Sequence, residues 1–579
     1  MTAARRRALL GGLALASAAV PLLAAPQAGA QVLVPSPERQ VYVFVVPGVS
    51  FEELLSSPDV RAIARAGGAG LMSAQLGAEN PAYAPGFGTP MNVSVYRLPA
   101  PPSGLGREQA IRRIGDRIRE VVPSTPGLEV LVIVASPSSS DAMIAAKDDL
   151  HPIVVAHDAA DRLFHVWRPP GALTSDSTRR IGVVSDADIA PTVRRFLGQA
   201  MPAGDEGMPI RVVDEAAPFL LHERYLAMRR MTVPIQTAVG LYVTLAGLFG
   251  VALLALRHRV GRRLTRVAGL TALSVPALGV ALLAAGHLPS LSYATVVPFT
   301  IGVTLLGTLA FAPLAKRDVL LAPAAIGWAV LAYFVVEASL GWTAALTPFL
   351  GGSELDGGRF YGLPNVFIGL LVGASLYAAH RLPGPWGFAL IVAVALFAGL
   401  PFAGANLGGA VTLFAAAGLW LAIRSRGRLD PRGVAIAAGV VLVGTTLVLL
   451  SHRYLASTPT HVTRFEETSG RSLSGIWRTF TDRFLVGWRL ILLNPFALVP
   501  VLGVPATLLA VLRPPAPVRA ALETNAAWRD GLLVILLAGV VAVLPNDSWP
   551  AALGLSFGLG LGGLLYVSLL AGTGKMGAA

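Results

Sequence analysis

From residue 232 to residue 572 the chain is a succession of apolar stretches separated by short polar loops. Inside a bilayer no water satisfies the peptide groups, so a crossing segment must close its own backbone hydrogen bonds. At 1.5 Å per residue, a helix needs about 20 apolar residues to cross ~30 Å of hydrocarbon. Stretches of that order lie near 232–256, 267–286, 292–314, 319–340, 363–379, 386–402, 405–423, 433–451, 487–512, 531–545 and 549–572. They predict an all-α polytopic bundle of about eleven helices. The composition agrees: 14% of residues are charged, against about 25% in ordinary soluble domains.

Loop charge gives a second reading of the same pattern. Short loops on the cytoplasmic side of a membrane protein carry an excess of Lys and Arg. The loop after the first stretch holds Arg257, Arg259, Arg262, Arg263 and Arg266, and the next loop, Gly286–Ser290, holds no Lys or Arg. The alternation continues through Lys316 and Arg317, through Arg381, and through Arg424, Arg426, Arg428 and Arg432. It ends with the 513–529 loop and Lys575. This places the C-terminus in the cytoplasm and everything before residue 232 outside it. The exception is the outer segment 452–486, which is rich in Arg. Its second part, near 472–489, mixes Ile476, Trp477, Arg478, Phe480 and Trp488 at helical spacing and predicts an amphipathic helix on the outer surface. In the last stretch, Gly554, Gly558 and Gly562 recur every fourth residue and predict close helix packing. The net charge of +13 lies mostly in these loops, so no nucleic-acid partner is expected.

At the N-terminus, Arg5–Arg7 precede an apolar run and the small-residue site Ala28-Gly29-Ala30. This is the pattern of a secretory signal peptide, residues 1–30. Residues 31–230 then form an extracytoplasmic domain, and residues 231–579 the transmembrane one, in a bacterial cytoplasmic (inner) membrane. Cysteine is absent. That excludes disulfides, thiolate metal sites and cysteine nucleophiles.

The exported domain reads as α/β. Val41–Val46 is a β-branched and aromatic run that stops at Pro47-Gly48, as a strand buried on both faces does. Further strands are expected at Leu128–Ala135 and Ile153–Ala156. Helices are expected over Phe51–Ala66, over Arg112–Val122 and from near Ile189, the last capped by Ser185 or Asp186. Such alternation predicts a doubly wound, mostly parallel sheet.

The order of these segments resembles the alkaline phosphatase superfamily, which includes the sulfatases. The residues that carry the likeness are Val41–Gly48, Arg65–Gly70, Leu131–Ser140, His151–Val155, and Asp188-Ile189-Ala190-Pro191-Thr192 through Gly198. The whole chain resembles bacterial polytopic membrane proteins that join such a domain to a bundle. The corresponding bundle motifs here are Gly358-Arg359-Phe360-Tyr361-Gly362 with Asn365, and Gly404-Ala405-Asn406 with Gly408-Gly409. The resemblance implies two divalent metals held by Asp and His, and a Ser or Thr nucleophile. Yet Pro47 stands where the first metal Asp is expected, and Ser136-Pro137-Ser138 where an Asp-His-Gly is expected. What remains is Thr89 as a weak nucleophile match, and a cluster of Asp148, Asp149, His151, His157 and Asp158 as candidate metal ligands. No resident cofactor is therefore expected, and zinc or manganese only if the domain is active.

In the bundle, the polar outer loops supply candidates for a lipid or anionic headgroup: Asp356, Arg359, Tyr361, Asn365 and Asn406. Asn546 and Asp547 share that face. Glu337 lies within a stretch, and an intramembrane acid defaults to function; Arg359 is its most obvious partner. The expected function is a membrane protein of the cell envelope whose phosphatase-like domain is non-catalytic and binds or scaffolds an envelope component at the outer leaflet. The expected partners are membrane lipids, a lipid-linked envelope precursor or an envelope protein complex. The alternatives are an active extracytoplasmic phosphoesterase or phosphotransferase, and a transporter or scramblase of an envelope lipid.

Overall fold

The computed structural model describes residues 39–571 apart from 74–79, 81, 83–91, 105, 124, 126–127, 149, 160–161, 167, 202–206, 215–216, 257, 344–346, 351–359, 544–548 and most of 457–511. The expected signal peptide lies outside the described residues. The chain divides into two compact units. One runs through Arg230 and also takes in Phe360 and Tyr361; the other takes in residues 231–352 and the chain from Gly362 onward.

The first unit is α/β. Its strands are β1 (Arg39–Val45), β2 (Gly68–Ser73), β3 (Val93–Arg97), β4 (Glu129–Ala135), β5 (His151–Ala159), β6 (Gly171–Thr174), β7 (Val183–Ser185) and β8 (Arg211–Val213). They form one sheet in the order β3-β1-β4-β5-β2-β6-β8, with β7 following β6 along the flank of β2. The sheet is mixed. β5 runs antiparallel to both of its neighbours, β4 and β2, and so interrupts the parallel core that the alternating pattern predicts. β1 and β4 are buried over most of their length, as strands covered on both faces must be.

The covering helices are α1 (Phe51–Ser56), α2 (Pro58–Ala66), α3 (Arg107–Val121), α4 (Asp141–Ala146) and α5 (Ile189–Leu197). The single helix expected over 51–66 is two. Ser57 takes an extended conformation before Pro58, because a proline ring disfavours helical geometry in the residue before it. A capping box starts α1: Glu53 N–H reaches Ser50 Oγ, and Ser50 N–H reaches Glu53 Oε2. Ser185 caps a 3-10 turn, Asp186–Asp188, that leads directly into α5.

The second unit is helical. Its elements are α6 (Ala217–Ala255), which begins in the first unit, α7 (Arg262–Ala285), α8 (Tyr293–Phe311), α9 (Leu321–Ser339), α10 (Ile368–Ala379), α11 (Trp386–Gly399), α12 (Leu407–Arg426), α13 (Pro431–Tyr454), α14 (Ala516–Thr524), α15 (Ala526–Ala542) and α16 (Trp549–Ala571). Among the described residues seven helices are long and apolar enough to cross a membrane, or eight if α14 and α15, bent by 109°, make one span. α10 and α11 are shorter apolar helices, and the stretch expected at 487–512 falls mostly outside the described residues. The chain is thus a multi-pass membrane protein with an α/β unit. Small residues set the packing distances. A Cβ on Gly562 would stand 2.9 Å from Ala272 O of α7, and one on Gly369 would stand 1.9 Å from Ala552 O of α16.

Candidate functional site

The carboxyl ends of β1, β2 and β4 and the start of β5 form one edge of the α/β sheet. Binding residues gather at such edges in open α/β folds. Here the edge is filled with structural hydrogen bonds. After β1, Gly48 N–H donates to Ser138 O at 2.9 Å and Val49 N–H to Ser136 Oγ at 3.1 Å. Ser140 caps α4. The segment after β4 therefore braces the segment after β1, and Pro47 adds no donor or ligand atom to it.

Asp148 lies just before β5 and is buried. Its carboxylate stands 3.0 and 3.1 Å from Nε2 of His222, on the first turns of α6, which is also buried. The ring of Phe51 packs on His222 at 5.5 Å, with Phe219 against Phe51 at 5.0 Å. Asp148 is thus committed to an imidazole that sequence reasoning missed, because His222 opens a long apolar helix and no spacing links it to residue 148. His151 opens β5 opposite Met72 and is buried.

The five-residue cluster expected around His151 is split by the geometry. His157 and Asp158 sit six or seven residues along the same extended strand, ~20 Å away. There His157 is exposed and packs on Phe196 at 4.9 Å, and Asp158 pairs with Arg162. A linear charge cluster in a strand spreads out where the same residues in a loop could converge. Asp149 and Thr89 lie outside the described residues. Among the described residues no group of three His, Asp or Glu side chains could hold a metal ion. The described residues alone do not make up a two-metal centre.

Asp188 is fully buried. Oδ2 accepts from Ser175 Oγ at 2.6 Å and from Ser185 N–H at 2.9 Å, and Oδ1 accepts from Met208 N–H at 2.9 Å. Burial pushes its acid above the usual carboxylate range, and these donors act against that shift. It ties three segments together. Elsewhere in the unit, Arg107 grips Glu53 through two nitrogens, at 2.5 and 2.9 Å, and holds that carboxyl below its ordinary value.

Between β6 and β7 the chain makes an excursion, Ser175–Gly182, along one flank of β2. Arg179 sits there with φ of 53°, its guanidinium 4.1 Å over the ring of Tyr361, and the buried Arg180 donates from Nε to Phe360 O at 2.7 Å. These two arginines hold the end of the segment that also carries Asp356 and Arg359, which lie outside the described residues.

In the helical unit, Asn365 and Asn406 converge. Asn406 is fully buried and caps α12: its Oδ1 accepts from Gly409 N–H at 2.8 Å. Its Nδ2 donates to Leu363 O at 2.8 Å and to Asn365 Oδ1 at 2.9 Å. Leu363 N–H meets Gly404 O at 2.7 Å. An asparagine offers two donors and an acceptor oxygen with two lone pairs, so three of the four hydrogen-bonding positions of Asn406 are engaged inside the protein. In the structure it clamps two turns together. Glu337, also buried, has its carboxylate 2.7 Å from Nε2 of His287, in the α7–α8 connection. Tyr333 OH donates to Leu283 O at 3.0 Å beside them. Sequence reasoning assigned Glu337 to Arg359; among the described residues it meets His287, which sits in the otherwise uncharged Gly286–Ser290 loop. Near 472–489, Trp477, Phe484 and Trp488 fall on one helical stripe and are 69%, 40% and 52% exposed. Asn546 and Asp547 lie outside the described residues.

Comparison with protein-family models, with curated proteins and with solved structures finds no match to this chain.

Proposed function

We propose that this chain is a cell-envelope membrane protein whose α/β unit is a non-catalytic relative of the metal-dependent phosphatases, and that it binds or scaffolds an anionic or lipid-linked envelope component at the outer leaflet. One observation carries the reading. The sheet edge where a two-metal centre would be built is occupied by residues already committed elsewhere: Ser136 to a backbone amide, Asp148 to His222. Phosphoryl transfer without such a metal clamp lacks its main stabilisation of developing charge. In this reading α10, α11 and the 487–512 stretch also cross the membrane, giving eleven spans. Residues 31–230 are then exported behind a cleaved signal peptide, and the exposed Trp477–Trp488 stripe rests in the outer interface.

The test compares variants of the full chain in cells and in detergent. Arg359→Ala is expected to impair envelope integrity while Thr89→Ala leaves it intact. The purified protein is expected to carry less than stoichiometric zinc or manganese and to leave a chromogenic phosphate ester unhydrolysed. Stoichiometric metal together with turnover lost in Thr89→Ala would overturn the reading in favour of a phosphoesterase.

A further inference from the structure

α6, α7 and α8 enclose a cleft of about 560 Å³, within the range of about 300–1,000 Å³ of ligand sites. Its α7 wall runs from Val267 to Leu282, ~22 Å along the helix and most of the ~30 Å hydrocarbon core. Its α8 wall presents Ile301, Leu305 and Leu309, all more than half exposed. The hydroxyls that line it mostly turn away. Thr304 and Thr308 donate to the carbonyls of Thr300 and Thr304 at 2.7 Å, and Thr271 donates to Val267 O at 3.0 Å. The lining of the cleft is predominantly apolar along its length.

One end of the cleft is strongly basic. Val267 and Leu270 line it. Stepping back four residues on the same helical stripe gives Arg263 and Arg266, and Arg259 and Arg262 lie beside them; all four are exposed. Among the described residues none of the four has an acidic partner. The sequence contains no Asp or Glu between Glu223 and Asp318, so no neighbouring carboxylate along the chain offsets this charge.

We propose that the cleft holds a hydrocarbon chain of an anionic phospholipid whose phosphate is bound by Arg259, Arg262, Arg263 and Arg266. The charge selects an anionic headgroup, and the apolar wall that continues from it selects a lipid over a water-soluble phosphate. The inference needs the helices to lie in a membrane; it does not depend on what the α/β unit binds.

The test reconstitutes the full chain in phosphatidylcholine vesicles with trace spin-labelled phosphatidylglycerol or spin-labelled phosphatidylcholine and measures the immobilised fraction of each. A basic residue near a membrane contributes about a five-fold factor for an anionic lipid, so a preference for phosphatidylglycerol of at least about five-fold is expected at low salt. It should weaken in high salt. The quadruple change R259Q/R262Q/R263Q/R266Q is expected to bring the ratio close to one, while R259K/R262K/R263K/R266K keeps most of it and controls for folding and orientation. Leu305→Trp, which fills the cleft without changing charge, is expected to lower the immobilised phosphatidylglycerol. Millimolar glycerol 3-phosphate is expected not to displace the lipid. A wild-type ratio near one, an unchanged ratio in the Gln variant, no effect of Leu305→Trp, or displacement by glycerol 3-phosphate would each overturn the proposal.

Discussion

Asn406→Ala separates a structural clamp from a ligand contact. The substitution removes three hydrogen bonds of 2.8, 2.9 and 2.8 Å from a side chain with no solvent exposure. Loss of the α12 cap costs about 1 kcal/mol. The Gly409 amide, left buried without its acceptor, and the two lost donor contacts add about 1–3 kcal/mol more, for a total of roughly 2–4 kcal/mol. Asn406→Ser keeps an acceptor for the cap and is expected to recover part of this. Asn406→Asp keeps the cap but sets a carboxylate oxygen against Leu363 O and Asn365 Oδ1, and is expected to be at least as damaging as alanine. The assay is thermal unfolding of the purified full chain in detergent, with hydrogen exchange over residues 360–412 as the local readout. A double-mutant cycle with Asn365→Ala should show coupling of about 0.5 kcal/mol or more, because the two side chains share one bond. An Asn406→Ala protein that unfolds like the wild type and keeps its exchange protection would refute the clamp and return Asn406 to the list of candidate ligand residues.

Asp188→Asn leaves three donors facing one acceptor oxygen and an amide, and is expected to destabilise the α/β unit by about 2–3 kcal/mol, read as lost exchange protection over residues 171–198. Because burial raises this acid, the folded state holds its proton more tightly than the unfolded chain. The Asp188 contribution to stability therefore falls as pH rises from the ordinary value of about 3.9 through the raised one, and this slope should be missing in the Asn variant. The sign is opposite at Glu53. Its carboxyl is held low by Arg107, so its contribution is present above the ordinary carboxylate range and is lost as pH falls through the lowered value. The pair is partly exposed, so Arg107→Ala should cost no more than about 1 kcal/mol at neutral pH, measured by the acid limb of the unfolding profile.

The residues that announced themselves in the sequence are those whose role is set locally. Val41–Val46 and Leu128–Ala135 are β-branched runs, and a buried strand is little more than such a run. The apolar stretches follow from length and composition alone. The direction of β5 was not legible, because a hydrophobic run carries no sign of which way its neighbours point. β6 was hidden for another reason. Gly171 and Ala172 have no β-branched signal; they pair with Gly68 and Ala69, and a Cβ on Gly68 would stand 2.8 Å from Gly171 O. The pairs Asp148–His222 and Glu337–His287 join residues 74 and 50 positions apart, and only the packed chain brings them together. Asn406 shows the converse. An Asn before an apolar helix is a cap signal, but beside glycines in a loop between two apolar stretches it also looks like a binding residue, and its hydrogen bonds show the capping role.

The margins of the sheet bear on how this protein behaves when crowded. At one end of the strand order stands β3, five residues long; at the other stands β8, with three. Exposed edge strands offer unpaired amides and carbonyls to a neighbouring molecule, and short or charged edges blunt that offer. β8 opens with Arg211, which pairs with Asp176, and β3 closes on an exposed Arg97. Neither margin is a long apolar template. Concentrated preparations of the protein should therefore resist strand-to-strand polymerisation, leaving the apolar helices as the surfaces through which it self-associates once lipid is stripped away.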